Sequence, residues 1–160
     1  MKITFIAVWM LVGIGFAGWS APAVVTPVTE PILTAWQQGD SARAIQYFLA
    51  ANWNRSPLFP SGMALDLTQK QFRELTGQVR QLRSQELLTQ LELMRQLTSA
   101  VAAAGRAAVA GGDPGQARKT FAALRQCGLA MDAPERPRLV QVAGERMKKM
   151  AAMELAKIGN

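Results

Sequence analysis

Residues 68–110 read TQKQFRELTGQVRQLRSQELLTQLELMRQLTSAVAAAGRAAVA, a stretch with no proline and only two glycines, Gly77 and Gly105. It opens on a capping box, Thr68-x-x-Gln71, in which the threonine hydroxyl accepts from an early backbone N–H and the glutamine reaches back to the cap. Apolar residues follow at Phe72, Leu75, Val79 and Leu82, the 3–4–3 spacing of one helical face. Arg83-Ser84-Gln85-Glu86 interrupts that face, and a second stripe runs through Leu87, Leu91, Met94, Leu97 and Val101. At about 100° per residue the second stripe is rotated partway around the helix from the first. The pattern fits a bend, or a second helix capped by Ser84; the alternative is one unbroken rod of roughly 60 Å at 1.5 Å per residue. Alanine dominates residues 100–110, so neighbours can approach closely there, and Gly111-Gly112 ends the segment. Helices are stabilised by burying an apolar face against partners. The remaining chain, or another molecule, must therefore cover this one.

Working outward, composition narrows the fold and the chemistry. The chain has 160 residues, 49% of them hydrophobic, enough for one domain with a real core. Strand-type runs are lacking beyond the N-terminus and no Asn-Gly hairpin signal occurs, so the expected fold is all-α. Its expected architecture is helical hairpins packed around a long central helix, bent or straight. Histidine is absent, which removes the commonest general base and the usual zinc ligand. A single cysteine, Cys127, excludes an internal disulfide and a cysteine-based metal cluster. Net charge is +7, and the excess is distal: residues 24–67 carry two basic and three acidic side chains, residues 68–110 six and three, residues 111–160 nine and five. That distribution favours acidic partners in a salt-dependent way.

Residues 1–23 resemble an export signal: Lys2, an uncharged apolar run over residues 3–19, then Ala21-Pro22-Ala23 with small residues at the positions signal peptidase reads. A mature start at Val24 follows. The alternative is an uncleaved anchor through residues 3–19, a run approaching the roughly 20 residues that span a bilayer. Residues 24–28 are an expected linker, and residues 29–160 a single helical domain. Thr29 is expected to cap a short helix with Pro31 in its first turn, bearing Ile32, Leu33 and Trp36. Gly39 stops it and Asp40 caps the next, which runs to about Trp53 with Ile45, Phe48 and Leu49 on one side. Asp113-Pro114-x-Gln116 opens a further helix ending near Cys127 and Gly128, a loop covers residues 129–137, and Pro137 opens the last helix with Leu139, Ala143, Met147 and Met150 aligned.

Two places share a pattern at an offset of 73 residues: Gly39-Asp40-x3-Ala44-x3-Phe48-x-Ala50 and Gly112-Asp113-x3-Ala117-x3-Phe121-x-Ala123. Glycine permits the left-handed turn that ends one helix and aspartate caps the next. The alanine lets the helices close, and the phenylalanine fills the groove between them. This pattern resembles the second helix of a tetratricopeptide repeat. Gly39, Asp40, Ala44, Ile45, Phe48 and Ala51 stand at that family's G-D-x3-A-I-x2-Y/F-x2-A positions, and Gly112, Asp113, Ala117 and Phe121 repeat them with Arg118 in place of the aliphatic residue. The family's W-x2-L-G-x2-Y first helix is not evident. The resemblance implies protein or peptide binding rather than catalysis.

Residues that could carry chemistry are few. Asp40, Asp66 and Asp113 read as caps, Glu74, Glu86 and Glu92 are spread along one helix among arginines, and no phosphate loop or nucleophile elbow occurs. No catalytic, cofactor-binding or metal-ligating residue is assigned. Met147-x-x-Met150-x-x-Met153 offers thioethers suited to Cu(I), but such spacing also fills cores and interfaces. Cys127, at an expected helix C-terminus, is read as buried with its pKa raised by the dipole; an intermolecular disulfide is the alternative. Arg146, Lys148, Lys149 and Lys157 make the last helix basic opposite its methionines, suiting an anionic membrane surface or an acidic partner. Nucleic acid is disfavoured by export and by the lack of interleaved aromatics.

The expectation is an exported, periplasmic or secreted, non-enzymatic module that binds a protein partner. Trp36, Tyr47 and Trp53 are its candidate anchors, on the premise that partly exposed aromatics anchor partners. The alternatives are a structural or membrane-anchored self-associating protein, and a methionine-based Cu(I) binder.

Overall fold

A computed structural model describes residues 26–159. The export-like segment, its cleavage point before Val24 and the anchor alternative over residues 3–19 lie outside the described residues. Among these residues the chain is all-α: α1 (Glu30–Gln37), α2 (Ser41–Ala50), α3 (Gln69–Glu74), α4 (Gly77–Ala110), α5 (Pro114–Met131) and α6 (Arg138–Gly159), with a 3-10 turn at Ala64–Asp66. Helix α5 packs on both α4 and α6, α1 pairs with α2, and α2 rests against α4 and α5. No described helix is long and apolar enough to cross a membrane.

The capping box forms as the sequence reads: Gln71 N–H donates to Thr68 Oγ1 at 3.2 Å and Thr68 N–H donates to Gln71 Oε1 at 2.8 Å. The break in the central stretch, however, falls at Leu75-Thr76 and not at Ser84. Arg80 holds the break, its guanidinium donating to the carbonyls of Arg73 and Leu75 at the end of α3. Ser84 is no cap. Its hydroxyl donates back to Arg80 O at 2.7 Å inside a continuous helix, and Arg83 and Glu86 pair at 2.6 Å one turn apart. Salt-bridged i,i+3 neighbours support a helix, so the polar interruption strengthens α4 where it was expected to divide it. The 34 residues of α4 make a rod of about 51 Å.

Of the two stripes, only the second is core. Leu87, Met94, Leu97 and Val101 are buried, joined by Thr98, Ala102 and Gly105, each large side chain contributing about 1.5–3 kcal/mol. Phe72 and Leu75 are half-buried, while Val79 and Leu82 are exposed, Leu82 at 65%. Helices α5 and α6 reach the middle of α4 but leave its first turns uncovered.

Three further expectations shift. Thr29 stands at the N-cap of α1 but makes no side-chain cap bond. Its buried hydroxyl donates instead to Leu58 O at 2.8 Å, pinning the Asn52–Gly62 connection to α1. Helix α2 ends at Ala50, short of Trp53. Gly128 does not stop α5, which continues to Met131. It is one half of a helix crossing: a Cβ on Gly144 would lie 2.5 Å from Gly128 O, and a Cβ on Gly128 would lie 2.8 Å from Gly144 O. Two glycines let the backbones of α5 and α6 meet. The buried line of α6 is accordingly Val140, Gly144, Met147 and Ala151, with Leu139 on the outside.

Candidate interaction grooves

Between α4 and α6 runs an open groove of about 460 Å³. Met94, Met147 and Thr98 are buried at its floor, Leu91, Ala143 and Met150 stand half-buried on its walls, and Leu88 and Leu139 are exposed at its edges. Arg95 and Arg146 line it too. The glycine crossing seats α6 closely on α5, and α6 meets α4 only sparsely, which leaves the groove between them open. Thioether side chains at the floor adapt to irregular apolar shapes.

Charge at the rim is uneven. Arg95 donates twice to Glu92, at 2.7 and 2.6 Å, and those hydrogen bonds, with one from Gln96, hold the Glu92 carboxyl down at about 2. Glu92 therefore stays ionised and neutralises Arg95. Arg146 makes no ion pair among the described residues, which leaves the α6 side positive. A second depression, of about 900 Å³, opens on the other side of α4 against α1. It includes Glu30, Glu92 and the amides of Gln37, Gln90 and Gln96. Leu88 is the ridge between the two.

The aromatic candidates occupy different environments. Trp36 is half-buried against the core. Tyr47 is 42% exposed and borders a shallow hollow with Thr34, Gln38 and Arg43. Trp53 is only 5% exposed, its ring tilted against Phe48 with centroids 4.6 Å apart. The premise of partial exposure fails for Trp53, because the breaker-rich connection folds it back onto α2. The three do not converge on one groove.

The methionine triplet also disperses: Met147 is buried, Met150 half-buried and Met153 60% exposed. Cys127 is buried inside α5, four residues before its end, and burial pushes its thiol above the ordinary range. The cause is desolvation, not the helix terminus. Arg136 escaped sequence reading. It lies 5.4 Å over the Phe59 ring and donates to Leu65 O at 3.1 Å, tying the α5–α6 loop to the 3-10 turn. Its only signal was a basic residue between two prolines.

The repeated Gly-Asp motif gives the same local geometry twice. Gly39 and Gly112 have φ of 79° and 77°, Arg43 N–H donates to Asp40 Oδ1 at 3.0 Å, and Gln116 N–H donates to Asp113 Oδ1 at 2.9 Å. Ala44, Phe48, Ala117 and Phe121 are all fully buried. No protein-family model, curated protein or solved structure matches the chain.

Proposed function

We propose that the chain is an exported, non-enzymatic interaction module whose α4–α6 groove takes an acidic amphipathic helix of a partner protein. One observation carries this reading: an apolar, methionine-floored groove with exposed Leu88 and Leu139 at its edges and an unneutralised Arg146 beside it. Helix-in-groove recognition uses apolar anchors at i, i+3, i+4 and i+7, and the open walls admit such a stripe. Arg138, exposed on α6 and in no ion pair among the described residues, extends the positive side of Arg146, whereas Lys149 and Lys157 are paired with Glu145 and Glu154, so acidic residues on the flank of the incoming helix meet complementary charge at Arg138 and Arg146. The export-like residues 1–23 and the lack of histidine support a non-catalytic role outside the cytoplasm.

The test uses the full-length chain and a fluorescent amphipathic peptide with leucines at helical spacing and glutamates on one flank, read by anisotropy. Micromolar binding that weakens at least tenfold in Met150→Glu is expected. Equal binding by wild type and variant would overturn the proposal. So would a concentration-dependent dimer in light scattering that Met150→Glu abolishes, since a second copy would then be the occupant. Binding to anionic vesicles but not to the peptide would assign the face to a membrane surface instead.

A further inference from the structure

The corner where α3 meets α4 is poorly covered by its own chain. Helix α3 buries no residue, and α4 buries none before Leu87. Val79 and Leu82 are three residues apart, hence on one side of α4, and both are exposed; Phe72 and Leu75, at the turn before them, are half-buried. The charge here is one-sided. Residues 69–83 carry Lys70, Arg73, Arg80 and Arg83 against one carboxylate, Glu74. Glu74 stands 4.0 Å from Lys70, and Arg83 pairs with Glu86. Arg73 and Arg80 make no ion pair among the described residues; Arg80 donates to backbone carbonyls, which leave its charge uncancelled. The α5–α6 loop brings Glu135 and Arg138 to Gln69, one charge of each sign, so the excess stays positive. None of the depressions between the helices takes a wall residue from residues 69–87.

We propose that this corner docks on the anionic headgroups of a lipid bilayer, with Val79 and Leu82 entering the apolar boundary and Arg73 and Arg80 lying against lipid phosphates. Apolar side chains flanked by cations bind such an interface through buried area and attraction to anionic lipid together, and each basic residue near the surface adds to that attraction. A second copy would set like charges against each other. A folded acidic protein would need a concave seat, which the corner does not offer. The site is separate from the α4–α6 groove, so either can fail without the other.

The test places an environment-sensitive fluorophore at Leu82→Cys in the full-length chain; Cys127 is fully buried and shielded from the reagent. Val109→Cys is the comparator, exposed like Leu82 and about 40 Å along the same helix at 1.5 Å per residue. Vesicles of phosphatidylcholine are compared with vesicles that also contain phosphatidylglycerol. The apolar run of residues 3–19 would partition into both, so a response confined to anionic lipid belongs to the corner. A blue shift is expected at residue 82 on anionic vesicles, lost at high salt, with none at residue 109. Arg73→Gln should lower the ratio of inserted to free label about fivefold, and Met150→Glu should leave it unchanged. No shift at residue 82, an equal shift on neutral vesicles or at residue 109, or an unaltered response in Arg73→Gln would overturn the proposal. So would loss of the shift in Met150→Glu, which would give the contact to the groove. A shift with soluble polyglutamate and no lipid would overturn it in favour of an acidic protein, and one that grows with protein concentration alone in favour of a second copy.

Discussion

The turns at Gly39-Asp40 and Gly112-Asp113 share their glycine φ, their aspartate cap and the buried alanine and phenylalanine that follow, yet they join very different helices. The first links the eight residues of α1 to the ten of α2; the second links the 34 of α4 to the 18 of α5. Seven residues before each glycine stand Ile32, fully buried, and Gly105, whose added Cβ would meet Phe121 Cζ at 2.8 Å. A bulky residue in the first pair and none in the second means that Phe121 sits directly on the α4 backbone. One residue after the alanine, Ile45 is half-buried against the core, whereas Arg118 reaches across to donate to Ile158 O at 3.3 Å near the end of α6. The same turn thus serves an apolar edge in one place and a polar tie between helices in the other. Local sequence builds the corner; the neighbours decide its use.

That comparison can be broken most severely at the phenylalanines. Phe121→Ala removes a fully buried ring from the α4–α5 contact and should cost about 3–5 kcal/mol, measured by urea unfolding followed by circular dichroism. A loss below about 1 kcal/mol would mean that the second corner is not the keystone of the long-helix layer. The caps come next. Asp113→Ala and Asp40→Ala each delete one side-chain bond to a helix N-terminus and should each cost about 1 kcal/mol. Markedly unequal costs would show that the two turns are alike in geometry alone. Smallest is the exchange at the divergent position. Arg118→Ile should change stability by no more than about 0.5 kcal/mol, because the site is exposed, while Ile45→Arg should cost more by withdrawing a half-buried aliphatic. A stabilising Arg118→Ile would mean that the tie to α6 is worth nothing.

Elements set by neighbours in sequence were readable. Thr68 with Gln71, Asp40 and Asp113 cap helices through bonds spanning three residues, so their geometry is contained in a tetrapeptide. The division of the central stretch was not readable at Ser84, because a polar run can be either a break or a salt-bridged turn, and only the Arg83–Glu86 pair decides. Of the candidate anchors, Tyr47 is exposed as expected and Trp53 is not. Its burial depends on how a proline-rich connection returns to α2, which no spacing rule reports. The α4–α6 groove is half-visible in sequence: the spacing of Met147 and Met150 fits a ligand set or a core face, but their pairing with Leu88 and Leu91 needs the partner helix. Gly128 looked like a stop signal because glycine commonly ends helices. Its role in the crossing exists only opposite Gly144.

By itself, then, the sequence determined the all-α class, the Gly-Asp corners and the caps at Thr68, Asp40 and Asp113, since each rests on backbone preferences and hydrogen bonds within a few residues. The tertiary structure alone decided which stripe of the long stretch became core, which aromatic stayed in water and where the grooves opened. An apolar stripe states that a face must be covered; which residues cover it depends on where helices distant in sequence come to rest, and on the glycines that set how closely they approach.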